Sequence, residues 1–372
     1  TGRITEQLLP LLPFTPTSAQ QRVIAEITAD QGTPDRMLRL LQGDVGSGKT
    51  FVALMAILNA LEAGAQAALL APTEILARQH YQGLSKLLKP LGLTPVLLSG
   101  STKQKARQDI LQGLADGSCQ IAIGTHALLT DEVIFADLAL AVVDEQHRFG
   151  VRQRLVLGQK GKNCDVLVMT ATPIPRTLAM TAYGDLTVSR LDEKPAGRQD
   201  IETALISQDR LADVTARLAA AISNGQRAYW ICPLVEETDK LDAAAAEDRH
   251  RALTAVLPDA NPVLAHGRMK TEQREEAMSA FKDGTSKLLV ATTVIEVGVD
   301  VPEASIIIIE HAERFGLAQL HQLRGRVGRG DKQSSCILMY QPPLSDTARS
   351  RLKIMRQTND GFVIAEEDLR LR

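Results

Sequence analysis

Short apolar runs alternate with longer segments of helical period along the first half of the chain: Ala67–Ala71, Pro95–Leu98, Gln120–Ile123, Leu138–Val143 and Asp165–Met169. Runs that are apolar throughout, rather than at every second position, mark strands covered on both faces, and strands separated by helices pair in parallel. The stretch Leu186–Asp200, with Pro195-Ala196-Gly197-Arg198 inside it, breaks the pattern and reads as a linker. The alternation then restarts with Ile201–Ile206, Arg227–Ile231, Pro262–Ala265, Lys287–Ala291, Ser305–Ile309 and Ser335–Met339, and helical period covers Leu211–Ile222 and Thr271–Phe281. The fold expected is α/β: two tandem domains, each a mostly parallel sheet flanked by helices. At 372 residues the chain exceeds what one core usually serves. The expected domains are 14–190 and 201–345, with a linker at 191–200.

Composition adds exclusions. No apolar stretch approaches the roughly 20 residues that span a bilayer, and Thr1–Pro13 lacks a basic leader with a cleavable apolar segment. The chain reads as soluble and cytoplasmic, with no membrane partner. Cys119, Cys164, Cys232 and Cys336 lie far apart in or beside apolar runs, a pattern of reduced buried thiols rather than of zinc or disulfides. The net charge of -2 does not suggest nucleic acid, but a local basic groove can sit on an acidic body. Lys103–Arg107 and Arg148–Arg154 are such concentrations, the first equally readable as a solvated face. With aromatics at 3%, a base-stacking platform is not expected, and any nucleic acid would be gripped by its backbone.

The chemistry is carried by Gly43-Asp44-Val45-Gly46-Ser47-Gly48-Lys49-Thr50. A loop that points successive N–H groups at phosphate oxygens needs glycine where a Cβ would obstruct it. Lys49 then supplies a point charge to the β/γ-phosphates and Thr50 a hydroxyl to Mg²⁺. An apolar helix from Phe51 to Leu61, ended near Gly64, adds the partial positive charge of its N-terminus. The strand Leu138–Val143 delivers Asp144-Glu145, a pair suited to holding Mg²⁺ and orienting the attacking water. ATP and Mg²⁺ are the cofactors implied. In the second half, Gln319–Arg329 is too basic and glycine-rich for an ordinary core helix. Arg326 and Arg329, three apart, are expected to share one helical face and act as arginine fingers on a triphosphate bound in a cleft between the lobes.

The motif set resembles superfamily 2 helicases and translocases almost end to end, a resemblance that implies two tandem RecA-like domains. In that resemblance Phe14 with Thr17-Ser18-Ala19-Gln20 is the adenine-reading segment, with Gln20 on the base; Ser18-x-x-Gln21 also reads as a capping box. Pro72, Thr73, Ser99, Gly100, Thr125 and His126 fall in the first lobe's DNA-backbone motifs. Thr170-Ala171-Thr172 couples nucleotide state to DNA grip, and Thr292–Asp300 is its counterpart, with Thr292 and Thr293 on DNA and Gly298 and Asp300 on nucleotide. Gln146, His147 and Gln322 are assigned to coupling, while His80, His250 and His311 receive no role.

Asp144–Arg154, followed by Ala171–Leu178, closely resembles the motor of the RecG family of bacterial branch-migration enzymes; the related transcription-repair coupling translocase Mfd typically has Glu where Gln146 stands. The resemblance implies an ATP-dependent motor on duplex DNA that remodels stalled forks and Holliday junctions, working as a monomer at the bacterial nucleoid, with a single-strand DNA-binding protein as a possible partner. The family's wedge domain is not found before Thr1, so 1–13 is expected to be a remnant linker and 346–372 the start of a truncated translocation motif. A transcription-coupled translocase or RNA helicase built on the same lobes, and a non-motor NTPase module, are the alternatives.

Overall fold

The structure, a computed structural model, describes residues 2–144, 157, 160–161, 163–171, 186–193, 200–233, 239–292, 301–328, 330 and 332–371. It divides into two compact units, Thr1–Ala196 and Gly197–Arg372.

The first unit holds a seven-stranded parallel sheet: β1 (Leu38–Gly43), β2 (Gln66–Leu70), β3 (Val96–Leu98), β4 (Ile121–Gly124), β5 (Leu138–Val143), β6 (Asp165–Thr170) and β7 (Thr187–Leu191), in the order β3-β4-β2-β5-β6-β1-β7. Its helices are α1 (Arg3–Leu8), α2 (Ser18–Gln31), α3 (Lys49–Glu62), α4 (Glu74–Leu88) and α5 (Gln104–Ala115). The apolar runs are explained by two cores, one on each face. Ala67, Leu69, Val142 and Leu167 pack with α3 on one side, while Ala68, Leu70, Ala141, Val143 and Val168 pack on the other. Period 2 sends successive side chains to opposite faces, so a strand buried on both must be apolar at every position.

Three features differ from the sequence reading. The stretch taken as linker from Leu186 contains β7, which pairs in parallel with β1 from Arg39↔Thr187 to Gly43↔Leu191. The chain there is held by a buried ion cluster: Arg39, 5% exposed, donates to Asp30 Oδ2 at 2.6 and 2.9 Å and to Glu26 Oε2 at 3.1 Å, and Ser189 of β7 joins Glu26. The segment expected as a remnant linker carries α1, with Leu8 fully buried and Glu62 Oε1 accepting from the N–H groups of Ile4 (2.7 Å) and Thr5 (3.1 Å). A helix N-terminus leaves such donors without intrahelical partners, and a carboxylate satisfies them. Finally, the capping box at α2 sits one residue earlier than read: Thr17 and Gln20 exchange the reciprocal bonds.

The second unit holds β8 (Glu202–Ser207), β9 (Arg227–Cys232), β10 (Val263–Ala265), β11 (Leu288–Thr292), β12 (Ala304–Ile309) and β13 (Ser335–Tyr340), all parallel, in the order β10-β11-β9-β12-β13-β8. Around them stand α6 (Leu211–Ser223), α7 (Asp239–Val256), α8 (Thr271–Asp283), α9 (Leu317–Arg324), α10 (Asp346–Gln357) and α11 (Gly361–Arg370). Residues 346–370, read as the start of a truncated motif, are part of this core: Leu352, Met355 and Ile364 pack with Leu320 and Leu323 of α9. Each such side chain contributes roughly 1.5–3 kcal/mol on burial. Ser345 and Asp360 cap the two helices by accepting from Ala348 N (3.2 Å) and Phe362 N (2.8 Å).

All four cysteines are free thiols, Cys119 half-buried and the others buried. Desolvation pushes Cys164 and Cys336 up to about 12 and raises Cys232 further. The thiolate is the reactive form, so a disulfide-exchange reagent at mildly alkaline pH is expected to titrate at most Cys119 in the native chain and all four after unfolding. Fast labelling of two or more native thiols would contradict this packing.

Candidate nucleotide and nucleic-acid sites

The phosphate loop leaves the carboxyl end of β1 and enters α3, the edge at which open α/β sheets bind ligands. Gly46 and Gly48 adopt φ of 78° and 88°, conformations that L side chains rarely reach. A Cβ on Gly48 would stand 2.2 Å from Gln20 Nε2. Lys49, 9% exposed, donates from Nζ to the carbonyls of Gly43 (2.7 Å) and Asp44 (2.9 Å), which fixes its ammonium at the loop. Thr50 is half-buried in the first turn of α3.

The segment from Phe14 to Gln20 meets this loop. Gln20, 3% exposed, donates from Nε2 to Ser47 O at 2.8 Å and accepts from Thr17 N at 3.0 Å, so its amide ties the start of α2 to the phosphate cradle. Phe14 is 45% exposed and stands edge-on to Phe51, ring centres 5.2 Å apart, open to a planar base. Beyond β7, Glu193 accepts from the Ser18 hydroxyl and from Ala19 N (3.1 Å), and these bonds hold its carboxyl below the ordinary value. The N-terminus of α2 is thus clamped on one side to the loop and on the other to the end of β7.

Asp144 lies just past β5, two strands from β1, with Thr170 ending β6 between them. Its Oδ2 is 2.7 Å from Nε2 of His80 on α4, and both side chains are buried, at 10% and 8% exposure. His80, which the sequence reading left without a role, therefore sits on the acidic centre. A histidine seven residues after Thr73 carries no local motif that announces it; only the fold brings α4 over the end of β5. Thr50 and Asp144 are hard oxygen donors suited to Mg²⁺.

The stretches read from the sequence as DNA-backbone motifs converge, since the ends of β2, β4 and β3 are neighbours in the sheet. Thr73 caps α4 by accepting from Leu76 N at 3.3 Å. Glu74 Oε1 accepts from the hydroxyls of Ser99 (2.8 Å) and Ser101 and from Arg78 Nη2 (3.1 Å). Ser99 and Thr125 are 2% and 4% exposed, so Ser99 braces the loop rather than facing solvent; Gly100 and His126 are exposed and Pro72 and Thr73 half-buried. In the basic cluster, Lys103 and Lys105 are exposed, while Arg107 pairs with Glu132 at 3.0 Å.

In the second unit Thr292 ends β11 at 2% exposure. Helix α9 stops at Arg324, so Arg326 lies in the turn beyond it rather than on the helix. Arg326 N and Val327 N bond back to the carbonyls of Leu323 (3.0 Å) and Arg324 (3.2 Å), and Gly328, φ 81°, turns the chain away. Arg326 is half-buried beside Tyr229, Thr292 and Leu323 around a small cavity, and Gln322 is half-buried on α9. Arg324, 1% exposed, donates to the carbonyls of Met355 (2.6 Å) and Thr358 (2.9 Å), fastening α9 to α10. Glu145, Gln146, His147, Thr172, Thr293, Gly298, Asp300, Arg329 and the cluster Arg148–Arg154 lie outside the described residues.

Residues 17–181 match the DEAD/DEAH box helicase family and residues 210–331 the helicase conserved C-terminal domain. The ATP-dependent DNA helicase RecG of Pasteurella multocida is 54% identical over 374 residues, covering 99% of this chain and 54% of that protein. RecG of Escherichia coli strain K12 is 52% identical, with 99% and 54% covered. The chain thus spans about half the length of the curated relatives it matches. Among solved structures, RecG bound to a three-way DNA junction superimposes with a TM-score of 0.86 at 42% identity, covering all of this chain and 49% of that one.

Proposed function

The chain belongs to the RecG family of ATP-dependent DNA helicases, and from that premise we propose that it is an ATP-driven motor that moves on duplex DNA and remodels branched DNA. One observation carries the reading. A single sheet edge bears a phosphate cradle at the end of β1 and, along the ends of β2, β4 and β3, loops of glycine and hydroxyl residues suited to a phosphate backbone.

In this proposal the loop N–H groups and Lys49 hold the β/γ-phosphates, Phe14 lies against the base, and Gln20 joins base recognition to the loop. Thr50 and Asp144 would hold Mg²⁺, which would supply neutralisation of the charge developing on the phosphates. Glu145 takes the role of orienting and deprotonating the water. Arg326 and Arg329 stabilise charge on the transferred phosphoryl group, and Gln146, His147, Thr172 and Gln322 couple hydrolysis to grip. Thr293 joins Thr292 on DNA, and Gly298 and Asp300 face nucleotide. Loss of the γ-phosphate changes which arrangement of the lobes the ligand favours, and alternating arrangements with alternating grip yield translocation. A monomeric working unit, a single-strand DNA-binding protein as partner and action at the nucleoid belong to the same proposal. Among the described residues no helix is long and apolar enough to cross a membrane.

The test is the ATPase rate against single-stranded, duplex and branched DNA and against RNA. Hydrolysis should be slow alone and rise with duplex and with branched DNA. DNA affinity should fall steeply with salt, with a log–log slope of about 0.9 per phosphate contacted. Equal stimulation by RNA, or turnover indifferent to nucleic acid, would refute the assignment.

A further inference from the structure

We infer that His80 is a positioning residue that holds the Asp144 carboxylate for the metal and, because it rides on α4, transmits DNA engagement to the hydrolytic centre. This rests on the reading of the chain as a DNA-dependent ATPase.

An ionised carboxylate only accepts hydrogen bonds, so the 2.7 Å contact requires that Nε2 of His80 carry the proton and donate it. Burying a carboxylate is expensive unless it is bonded; His80 supplies that bond and at the same time fixes the rotamer of Asp144. Metal-site carboxylates depend on such outer partners for their orientation.

The second half of the inference comes from where α4 begins. Thr73 caps it, and Glu74 in its first turn receives the Ser99 hydroxyl from the neighbouring loop. His80 lies seven residues after Thr73, two helical turns or roughly 10 Å along the axis. Between and beyond them Ala77, Leu84 and Leu88, all at most 2% exposed, lock the helix into the core. A packed helix moves as a body, so a shift imposed where a phosphate backbone meets Thr73 and Gly100 is delivered at His80 as a shift of the imidazole against Asp144. Satisfying a buried histidine would need only one acceptor of any kind; here the acceptor is the acid at the end of β5, and the helix that brings the ring starts in the candidate DNA loop.

The experiment compares His80→Ala with His80→Gln, whose amide Nε2 stands at about the reach of the imidazole Nε2. Three quantities are read: the Mg²⁺ midpoint for binding a fluorescent ADP analogue without DNA, the affinity for duplex DNA without nucleotide, and the ratio of ATPase rates with and without duplex. For His80→Ala the Mg²⁺ midpoint should rise about 10- to 100-fold, the usual range for losing an outer-shell partner. The stimulation ratio should fall markedly, with DNA affinity at the parental value, and Gln should restore most of both. A parental Mg²⁺ midpoint and stimulation ratio in His80→Ala would overturn the inference, as would a folded Gln variant no better than Ala. If the Ala variant does not fold, His80→Asn, an amide of shorter reach, takes its place against Gln with the same expectations. A parent chain that lacks DNA stimulation would defeat the motor reading, while the Mg²⁺ midpoint would still report on the link between His80 and Asp144.

Discussion

Lys49→Ala is expected to abolish ATP hydrolysis while leaving the first unit folded. The ammonium is held between the carbonyls of Gly43 and Asp44, at 2.7 and 2.9 Å, in a side chain only 9% exposed. Nucleotide phosphates arriving at this loop would meet a cation already placed, with no reorganisation left to perform, the condition under which a single charge does most for a transition state. Removing one such preorganised group lowers turnover by about 100- to 1000-fold, and the loss should fall on nucleotide affinity as well, because the same charge faces the ground-state phosphates. Glu145→Gln provides the contrast: it should retain nucleotide and fail only in cleavage. Fluorescent-nucleotide titration alongside steady-state phosphate release separates the two. Equal collapse of affinity in both variants, or turnover in Lys49→Ala within a few-fold of the parent, would remove Lys49 from its assigned role.

Much of this architecture could be read from the chain because its strands are buried on both faces. Most of the eleven runs found in the sequence announced themselves by their largely apolar character, as at Leu138–Val143, where sequence and structure agree residue for residue. The two strands that were missed are the two whose polar residues are satisfied by tertiary contacts. β1 carries Arg39 and Gln42 among its leucines, and Arg39 makes sense inside a protein only once Asp30 and Glu26 of α2 and Ser189 of β7 surround it. β7 is an edge strand whose Arg190 and exposed Thr187 look like linker. Local patterns report propensity; they do not report which charges will find each other across 150 residues.

The site divides in the same way. The phosphate loop was legible because its glycines, lysine and hydroxyl act through backbone geometry within eight consecutive residues. His80 was not, since its partner is 64 residues away and nothing about Gln79-His80-Tyr81 distinguishes it from a surface turn of helix. The arginine motif was half legible. Its composition set it apart from an ordinary core helix, yet periodicity placed Arg326 on a helix that ends at Arg324, ahead of a turn in which Gly328 takes φ 81°. Arg324, within the same motif, turned out to face inward.

That inward arginine and the one assigned as a finger should separate cleanly when each is removed. Arg324→Met keeps an unbranched apolar stem but deletes the donors that serve the carbonyls of Met355 and Thr358, at 2.6 and 2.9 Å, in a position 1% exposed. Each of these two buried acceptors left without its partner costs about 1–3 kcal/mol. Part of that is returned because an apolar group no longer carries the desolvation penalty of a guanidinium. The net loss expected for the second unit is about 2–3 kcal/mol, a sizeable part of the roughly 5–15 kcal/mol that holds a domain together. It should appear as a lower urea midpoint, with α10 and α11 losing amide protection first, because the bonds removed are those that fasten α10 to α9. Nucleotide affinity at the phosphate loop, in the other unit, should not change. Arg329→Ala is expected to do the reverse: the unfolding midpoint stays, nucleotide binds, and turnover falls by about 10³ or more, with Lys a poor substitute for the planar fork. Single-turnover hydrolysis at saturating DNA decides the second half. Recovery of the parental rate there would make Arg329 a DNA contact, and a parental urea midpoint in Arg324→Met would mean that α9 and α10 are held together without the buried guanidinium.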